Sequence, residues 1–146
     1  MNRTALRLAG LAAAIMIWSS LATSAQANGR QYYGNWNFHP QRSYHYCNYY
    51  YKPTPTYNGY HYHYCIYVPS QPRYIYYYNP HRQVYWGRFD LEGKPGEQYS
   101  LLTEENRKKS LADIPESAFP KPAAMPQVPD AEDTVSIDPP PGRPEQ

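Results

Sequence analysis

Between residues 44 and 89, aromatic residues alternate with polar ones in short runs. A period of two is typical of β-strands, which Tyr, Ile, Val and Trp favour. Proline, glycine and asparagine separate the runs. The pattern predicts a mainly β protein: a small antiparallel meander of three to four strands. The predicted strands span about residues 44–51, 60–68, 73–78 and 83–89.

Pairing these strands in order gives a register that can be tested. The first pair sets Cys47 opposite Cys65, and a tight turn after the second strand sets Ile66 opposite Ile75. Side chains alternate between the two sides of a sheet, so one face then holds every aliphatic residue of the segment, and we expect it to be the core. That face comprises Tyr46, Tyr62, Tyr64, Ile66, Val68, Ile75, Tyr77, Val84 and Trp86.

The opposite face of this predicted sheet is rich in tyrosine and imidazole and has no carboxylate. Exposed aromatic rings stack on sugars or bases, and they also promote self-association. The simpler alternative is that these tyrosines form half-buried sheet surface. The candidate ligand-facing surface consists of His45, Tyr49, His61, His63, Tyr67, Tyr74, Tyr76, Tyr78 and Tyr85.

The segments that flank the sheet are predicted to be simpler. Residues 28–43 read as an extended N-terminal segment. A short helix is expected within residues 98–114, capped by Thr103 and ended by Pro115. It would complete a Tyr-rich domain at residues 44–114. Residues 115–146 contain nine prolines and predict a disordered acidic tail. The expected cover of the core consists of Leu101, Leu102, Leu111 and Ile114, with Trp36 or Phe119 in support.

The first 27 residues have the features of an export signal. Arg3 and Arg7 precede an apolar run at Leu8–Trp18, and an A-x-A cleavage site follows at Ala25–Ala27. The run is too short to cross a bilayer, which takes about 20 apolar residues. The sequence therefore predicts a signal peptide at residues 1–27. The mature chain would be exported to the periplasm, cell surface or medium, with no transmembrane segment after cleavage.

Charge divides the chain into two unlike parts. Removing Arg3 and Arg7 from the 14 basic residues leaves 12, equal to the 12 acidic ones. Residues 28–89 contain six basic residues and no Asp or Glu, whereas residues 90–146 contain all 12 acids. Such asymmetry favours pairing between the two halves, and the alternative is a basic half that binds an external polyanion.

The two cysteines allow two readings. Opposed cysteines in an exported chain predict a Cys47–Cys65 disulfide. The repeated His-x-Cys pairs also supply the ligand types of a Cys2His2 zinc site at His45, Cys47, His63 and Cys65. Antiparallel pairing, however, places the two histidines at opposite ends of the cysteine pair. The disulfide is the preferred prediction, and no metal or other cofactor is expected.

Catalytic chemistry has little basis in the sequence. The aromatic segment has no carboxylate pair, and its serines have no orienting acid. No glycine-rich phosphate loop or metal-hydrolase motif is present. With 146 residues the chain forms one domain at most, and we expect it not to be an enzyme.

Two resemblances add to this interpretation. The stretch Arg73–Trp86, with its Tyr-Tyr-Tyr-Asn run, is similar to the middle of a WW domain. The family's first Trp falls at Tyr64 and its closing Pro is missing, so proline-peptide binding is not inferred. Tyr-His-Tyr-Cys, Tyr-Tyr-Tyr-Asn-Pro and the run Val84–Leu101 resemble small exported Tyr-rich bacterial proteins of unassigned function. That likeness covers residues 44–120 and implies no activity.

These observations favour a non-enzymatic exported protein that is a structural, self-associating component of the cell envelope or extracellular material. The alternative is a binding module whose Tyr/His/Arg face takes a polysaccharide or another polyanion, and a His-x-Cys metal-binding protein is a third. The expected partners are a second copy or an envelope polymer. No specific nucleic acid partner is expected.

Overall fold

The structure, a computed structural model, describes residues 29–145, so the predicted signal peptide lies outside the described residues. This part is mainly β, as predicted, but seven antiparallel strands form its curled sheet where three or four were expected. The strand order is β1–β3–β4–β5–β6–β7, and β2 also pairs with β3. The strands are β1 (Gln31–Tyr33), β2 (Asn37–His39), β3 (Tyr44–Tyr51), β4 (His61–Tyr67), β5 (Tyr74–Asn79), β6 (Val84–Lys94) and β7 (Glu97–Leu101).

The strands beyond the prediction come from the flanking segments. β1 and β2 lie in the expected N-terminal extension, and both pair with β3. β7 follows β6 through a tight turn at Pro95 and Gly96, where Gly96 has φ +86°. Proline followed by a glycine with positive φ is the signature of a type II turn. That turn pairs Glu97–Leu101 with β6, so the start of the segment within which a short helix was expected forms a strand instead.

The register of the sheet agrees with prediction in one hairpin and departs from it in the next. Cys47 lies opposite Cys65, as predicted. Ile66 lies opposite Tyr76 rather than Ile75. The loop between β4 and β5 contains two successive turns instead of one, which shifts the pairing by one residue. A slip of one residue exchanges the faces of a strand, so the predicted core and ligand faces are mixed.

One side of the sheet, here called the front face, is a buried aromatic core. Ile75 and Tyr77 have no exposed surface there, and they pack with Tyr49 and the cysteine pair. Residues 120–138 run across this face. Their Val128 and Ile137 are 1% and 2% exposed and belong to the same cluster. The front face is therefore closed by the C-terminal part of the chain, here called the front cover.

The front cover corrects the prediction of a disordered tail at residues 115–146. It joins both edges of the sheet. Ala123 and Tyr99 of β7 exchange two backbone hydrogen bonds, of 3.0 and 2.8 Å. The Gln31 side chain of β1 donates to the Ser136 carbonyl (2.9 Å) and accepts from the Asp138 N–H (3.0 Å). Proline has a restricted backbone in the unfolded chain, so ordering a proline-rich segment costs less entropy.

The other side of the sheet, the back face, contains Ile66, Tyr76 and Tyr85 and is covered by residues 102–119. The predicted cover residues Leu102 and Ile114 are buried on it. Leu111 and Phe119 pack against the same cluster, whereas Leu101 is exposed and Trp36 packs on the front face. The predicted helix is wrong, because the segment forms only single 3-10 turns, at Glu104–Asn106, Leu111–Asp113 and Glu116–Ala118.

The two oppositely charged parts of the chain pair with each other, as the charge pattern favoured. Four of the six basic residues in the first half form ion pairs with acids of the second half. These pairs are Arg30–Asp133, Arg73–Asp90, Arg82–Glu104 and Arg88–Glu116. Arg30 and Arg88 are 3% and 6% exposed. Pairing of buried guanidinium groups avoids the high cost of an isolated buried charge, so the two halves are needed together.

Candidate functional site

An open groove lies on the front-face side, between the β5–β6 turn and the front cover. Its volume is about 890 Å³. Ligand sites in proteins commonly measure 300–1,000 Å³, so the groove is of suitable size. Aromatic residues form its floor, the turn and the 3-10 segment form one wall, and residues 126–131 form the other. The polar and aromatic side chains of its lining include Tyr51, His61, His63, His81, Arg82, Trp86, Glu104, Arg107 and Asp130.

The floor is a packed aromatic cluster. The Tyr51 hydroxyl lies 3.2 Å from His63 Nε2, and both side chains are buried. The His63 ring contacts Trp86 edge-on, with 5.6 Å between ring centres. Tyr51 and His63 are diagonal neighbours on the paired strands β3 and β4, and Trp86 reaches His63 from β6, on the far side of β5. The floor is therefore held rigid from three strands.

Two polar atoms of this floor have no hydrogen-bond partner among the described residues: His63 Nδ1 and Trp86 Nε1. An unpaired buried polar group costs about 1–3 kcal/mol. Burial lowers the pKa of His63 to about 4, with smaller contributions from His81 and His61. The imidazole is therefore neutral at pH 7. Perturbed titratable groups that line a cleft are a feature of functional sites.

One wall is built by the β5–β6 turn. The Asn79 side chain accepts hydrogen bonds from the backbone N–H groups of His81 (2.9 Å) and Arg82 (3.2 Å), which fixes the turn. Arg82 then reaches Glu104 at 3.0 Å, and Arg107 binds the same carboxylate at 2.8 Å. These hydrogen bonds and charges hold the pKa of Glu104 below its ordinary value. The wall thus presents a carboxylate shared by two guanidinium groups.

The opposite wall belongs to the front cover. Val128 N–H donates to the Val135 carbonyl (2.9 Å) and Ile137 N–H to the Pro126 carbonyl (2.8 Å), which makes a short hairpin. Asp130 lies at its tip with φ +58°, a left-handed conformation that Asp tolerates. The buried Arg30 anchors the same hairpin through Asp133 at 2.7 Å. This wall exists only while the cover is docked.

The predicted ligand-facing residues do not form one exposed surface. His61 and His63 line the groove, although His63 is buried in its floor. Tyr78 and Tyr85 line a second cavity, on the back face. Tyr49, Tyr67 and Tyr76 are buried in the two cores, whereas His45 and Tyr74 are half-buried outside both cavities.

The cysteine prediction is right in register and wrong in bonding. Cys47 and Cys65 are cross-strand partners 4.4 Å apart, but both are free thiols buried in the front core. Burial raises the pKa of the Cys65 thiol well above its ordinary value. The zinc alternative fails on geometry. His45 lies opposite Tyr67 and His63 opposite Tyr49, so the two histidines diverge from the cysteines. Residues 29–145 contain no group of three or more ligands that would hold a metal.

Several groove residues escaped the sequence analysis. Arg82, Glu104, Arg107 and Asp130 come from three separate segments, and only the folded covers bring them to the floor. The one available signal was Asn79-Pro80, which marks a turn that ends in a basic residue. Tyr51 was placed in the predicted strand 44–51, and no functional role was predicted for its side chain.

Comparison of the chain with protein-family models, curated proteins and solved structures found no match. Within residues 29–145, none of the helical turns is long and apolar enough to span a membrane.

Proposed function

We propose that this protein is a non-enzymatic exported binding module whose front groove holds a saccharide of the cell envelope. The observation that carries the proposal is the composition of the groove. An aromatic floor lies between two walls rich in hydrogen-bonding side chains. Saccharides offer apolar C–H faces and many hydroxyls, and sites for them combine aromatic surface with a few well-placed polar groups.

The charges of the groove favour a neutral ligand over a polyanion. Two guanidinium groups, of Arg82 and Arg107, are matched by the carboxylates of Glu104 and Asp130. Glu104 already binds both arginines, so their net attraction for an anion is weakened. Amide, carboxylate and imidazole groups of the lining remain available as donors and acceptors for hydroxyls. The saccharide alternative is thus better supported at this groove than the polyanion alternative.

The lowered pKa of Glu104 supports binding rather than catalysis. A general acid at neutral pH needs a raised pKa, and the pKa of Glu104 is lowered by Arg82 and Arg107. The same ion pairs fix the geometry of the wall. Export remains an expectation that rests on residues 1–27.

The experiment is a titration of the mature chain, residues 28–146, with two soluble probes, N,N′-diacetylchitobiose and cellobiose, followed by amide chemical-shift changes. We expect shifts centred on β4, the β5–β6 turn and residues 126–131. His61→Ala should weaken binding about tenfold, a loss of about 1.4 kcal/mol. His45→Ala, a half-buried histidine outside the groove, is the matched control and should change nothing. Absence of binding by both sugars, or equal loss in both variants, would contradict the proposal.

Self-association is a second candidate, and it is supported at a different place from the one expected. Most of both sheet faces is covered, but aromatic side chains remain exposed on the edge strands β1 and β2. Tyr32 and Phe38 are 47% and 54% exposed, and Tyr32 stacks on Tyr50 with 4.7 Å between ring centres. Unpaired edge strands with apolar side chains promote pairing between chains. We expect light scattering to give a dimer or larger species that becomes monomeric in Phe38→Ser; a monomeric parent chain would exclude this candidate.

A further inference from the structure

We infer that a second cavity, on the back face of the sheet, is a binding site for a small organic molecule that carries a phosphate or sulfate group beside hydroxyls. This cavity has a volume of about 380 Å³ and is separated from the groove by the sheet. The cavity is lined by two cationic side chains and several tyrosines, among them Arg42, Lys109, Tyr44, Tyr64, Tyr78 and Tyr85.

The charge of the cavity is the first reason. Among the described residues that line it, Arg42 and Lys109 are cations and none is a carboxylate. Among the ion pairs of residues 29–145, neither cation takes part in one. In the same basic half of the chain, Arg30, Arg73 and Arg82 are all paired with acids, as is Arg88. Lys52 instead lies 4.8 Å over the Tyr60 ring. Within residues 29–145, Arg42 is therefore the arginine of the basic half that forms no ion pair, and it lies at this cavity.

The second reason is that two turns of similar sequence border the cavity. His39-Pro40-Gln41-Arg42-Ser43 and Asn79-Pro80-His81-Arg82-Gln83 both connect antiparallel strands, and both supply residues to the cavity. Their last residues, Ser43 and Gln83, have φ values of +52° and +56°. The turns differ in the fate of the arginine. Arg82 meets Glu104, whereas Arg42 in the equivalent position meets no acid, so the cavity has a cation where its counterpart has an ion pair.

The third reason is that the tyrosines lining the cavity supply hydroxyl donors. Tyr78 and Tyr85 pack with 4.9 Å between ring centres, and Tyr46 and Tyr64 with 5.9 Å, so the walls are supported by ring contacts. Burial raises the pKa of Tyr85 and of Tyr64, so their hydroxyls stay protonated and able to donate. Phenol and guanidinium donors together match the oxygens of a phosphate or sulfate and of neighbouring hydroxyls.

One further atom of the lining has unused hydrogen-bonding capacity. His39 Nδ1 is buried and has no partner among the described residues. Pairing of such a group accompanies ligand binding at many sites, because an unpaired buried atom is costly. It lies at the same end of the cavity as the turn that carries Arg42.

The test uses the mature chain with three probes, glucose 6-phosphate, inorganic phosphate and glucose, at low salt. Isothermal titration should detect glucose 6-phosphate and, more weakly, phosphate, whereas any heat from glucose should be unchanged by Arg42→Gln, because glucose carries no anionic group. Binding should weaken as sodium chloride is added, because exposed charges are screened. Arg42→Gln and Lys109→Gln should each lower the affinity for glucose 6-phosphate about tenfold or more.

Two controls make the outcome decisive. Lys121→Gln removes an exposed lysine that lines neither cavity and should leave the affinity unchanged. His61→Ala in the groove should also leave it unchanged, which separates this site from the proposed function. The inference is overturned if glucose 6-phosphate does not bind, if the double variant Arg42→Gln/Lys109→Gln binds as well as the parent, or if Lys121→Gln weakens binding equally. Thermal melting of each variant checks that the fold is intact.

Discussion

The two faces of the sheet carry similar aromatic residues but are closed in different ways. On the front face, Tyr49 and Tyr77 are fully buried under a cover that is tied to both edge strands. On the back face, several tyrosines stay half-buried because the 3-10 segment crosses only part of the sheet. A shallow cavity remains beside the turns. The segments that cover the sheet, rather than the strands themselves, therefore determine which tyrosines are buried in the core and which stay at the surface.

The covers also differ in what they contribute to the sites. The front cover supplies an entire wall of the groove, including Asp130. The back cover, residues 102–119, supplies Glu104 and Arg107 to the other wall of the groove, but it supplies only Lys109 to the second cavity, and its Glu116 carboxylate pairs with the buried Arg88. Stability and binding are therefore more closely linked on the front face.

Truncation after Lys121 should abolish cooperative unfolding. It removes Val128 and Ile137, whose burial stabilises by about 1.5–3 kcal/mol each, and it exposes the front core and an unpaired Arg30. The summed loss of stability from these side chains, the exposed core and the unpaired Arg30 is comparable with the total stability of a small domain, about 5–15 kcal/mol. Truncation after Asp138 is the control, since it keeps the cover. Thermal unfolding followed by near-UV circular dichroism distinguishes them, and equal melting of both would show that the cover is dispensable.

Ile137→Ala should destabilise the protein by about 2–5 kcal/mol, because it creates a cavity in a fully packed core. The side chain is 2% exposed within the front cluster. Leu101→Ala removes a side chain that is 43% exposed and should change stability by less than about 0.5 kcal/mol. Urea unfolding measures both. A small effect of Ile137→Ala would mean that the front cover is loosely docked.

Acid should weaken the front core through His63. Its folded pKa is about 4, against an ordinary value of 6.5, so the unfolded chain binds the proton more readily. The stability from neutral His63 is complete above pH 6.5 and is lost as the pH falls to 4, by about 3 kcal/mol. Urea unfolding across this pH range should show that the free energy of unfolding falls more steeply in the parent and in His45→Gln than in His63→Gln. Equal slopes in all three would show that His63 is not desolvated.

Gly87→Ala should cost about 1–3 kcal/mol, the range typical of overpacking. A Cβ at this position would lie 2.6 Å from Cζ of Tyr99, whose ring is buried in the front core. Gly34→Ala is the matched control, because its Cβ would lie 3.6 Å from the nearest atom. The difference between the urea unfolding midpoints of the two variants measures the loss of stability. If the two variants are equally stable, the packing between β6 and β7 is looser than the structure shows.

Much of the sheet was predictable because its signals are local. Alternation and turn residues located four strands, and the symmetric β3–β4 hairpin set Cys47 against Cys65. The β4–β5 register was missed because its loop holds an additional turn, which composition does not reveal. Helical features around Thr103 were outweighed by the hairpin at Gly96 and by packing on the back face. Local propensity is a weak guide when tertiary contacts compete.

The sites were less predictable than the sheet. His61 and His63 were in the predicted set, since their strand was recognised. Arg82, Arg107 and Asp130 were missed because the groove depends on covers without regular secondary structure. The prolines of the tail suggested disorder, although its spaced apolar residues Val128 and Ile137 bury well. Charge balance was the one sequence signal that indicated docking of the acidic half onto the basic half.

The central claim is that residues 120–138 form a docked structural layer, and amide hydrogen exchange tests it most directly. Val128 and Ile137 donate backbone hydrogen bonds within the cover, and Ala123 donates to Tyr99 of the sheet. We predict that these three amides are protected to a degree comparable with the central strands β4 and β5. Exchange of the three at the rate of an unfolded chain, while the central strands stay protected, would contradict the account.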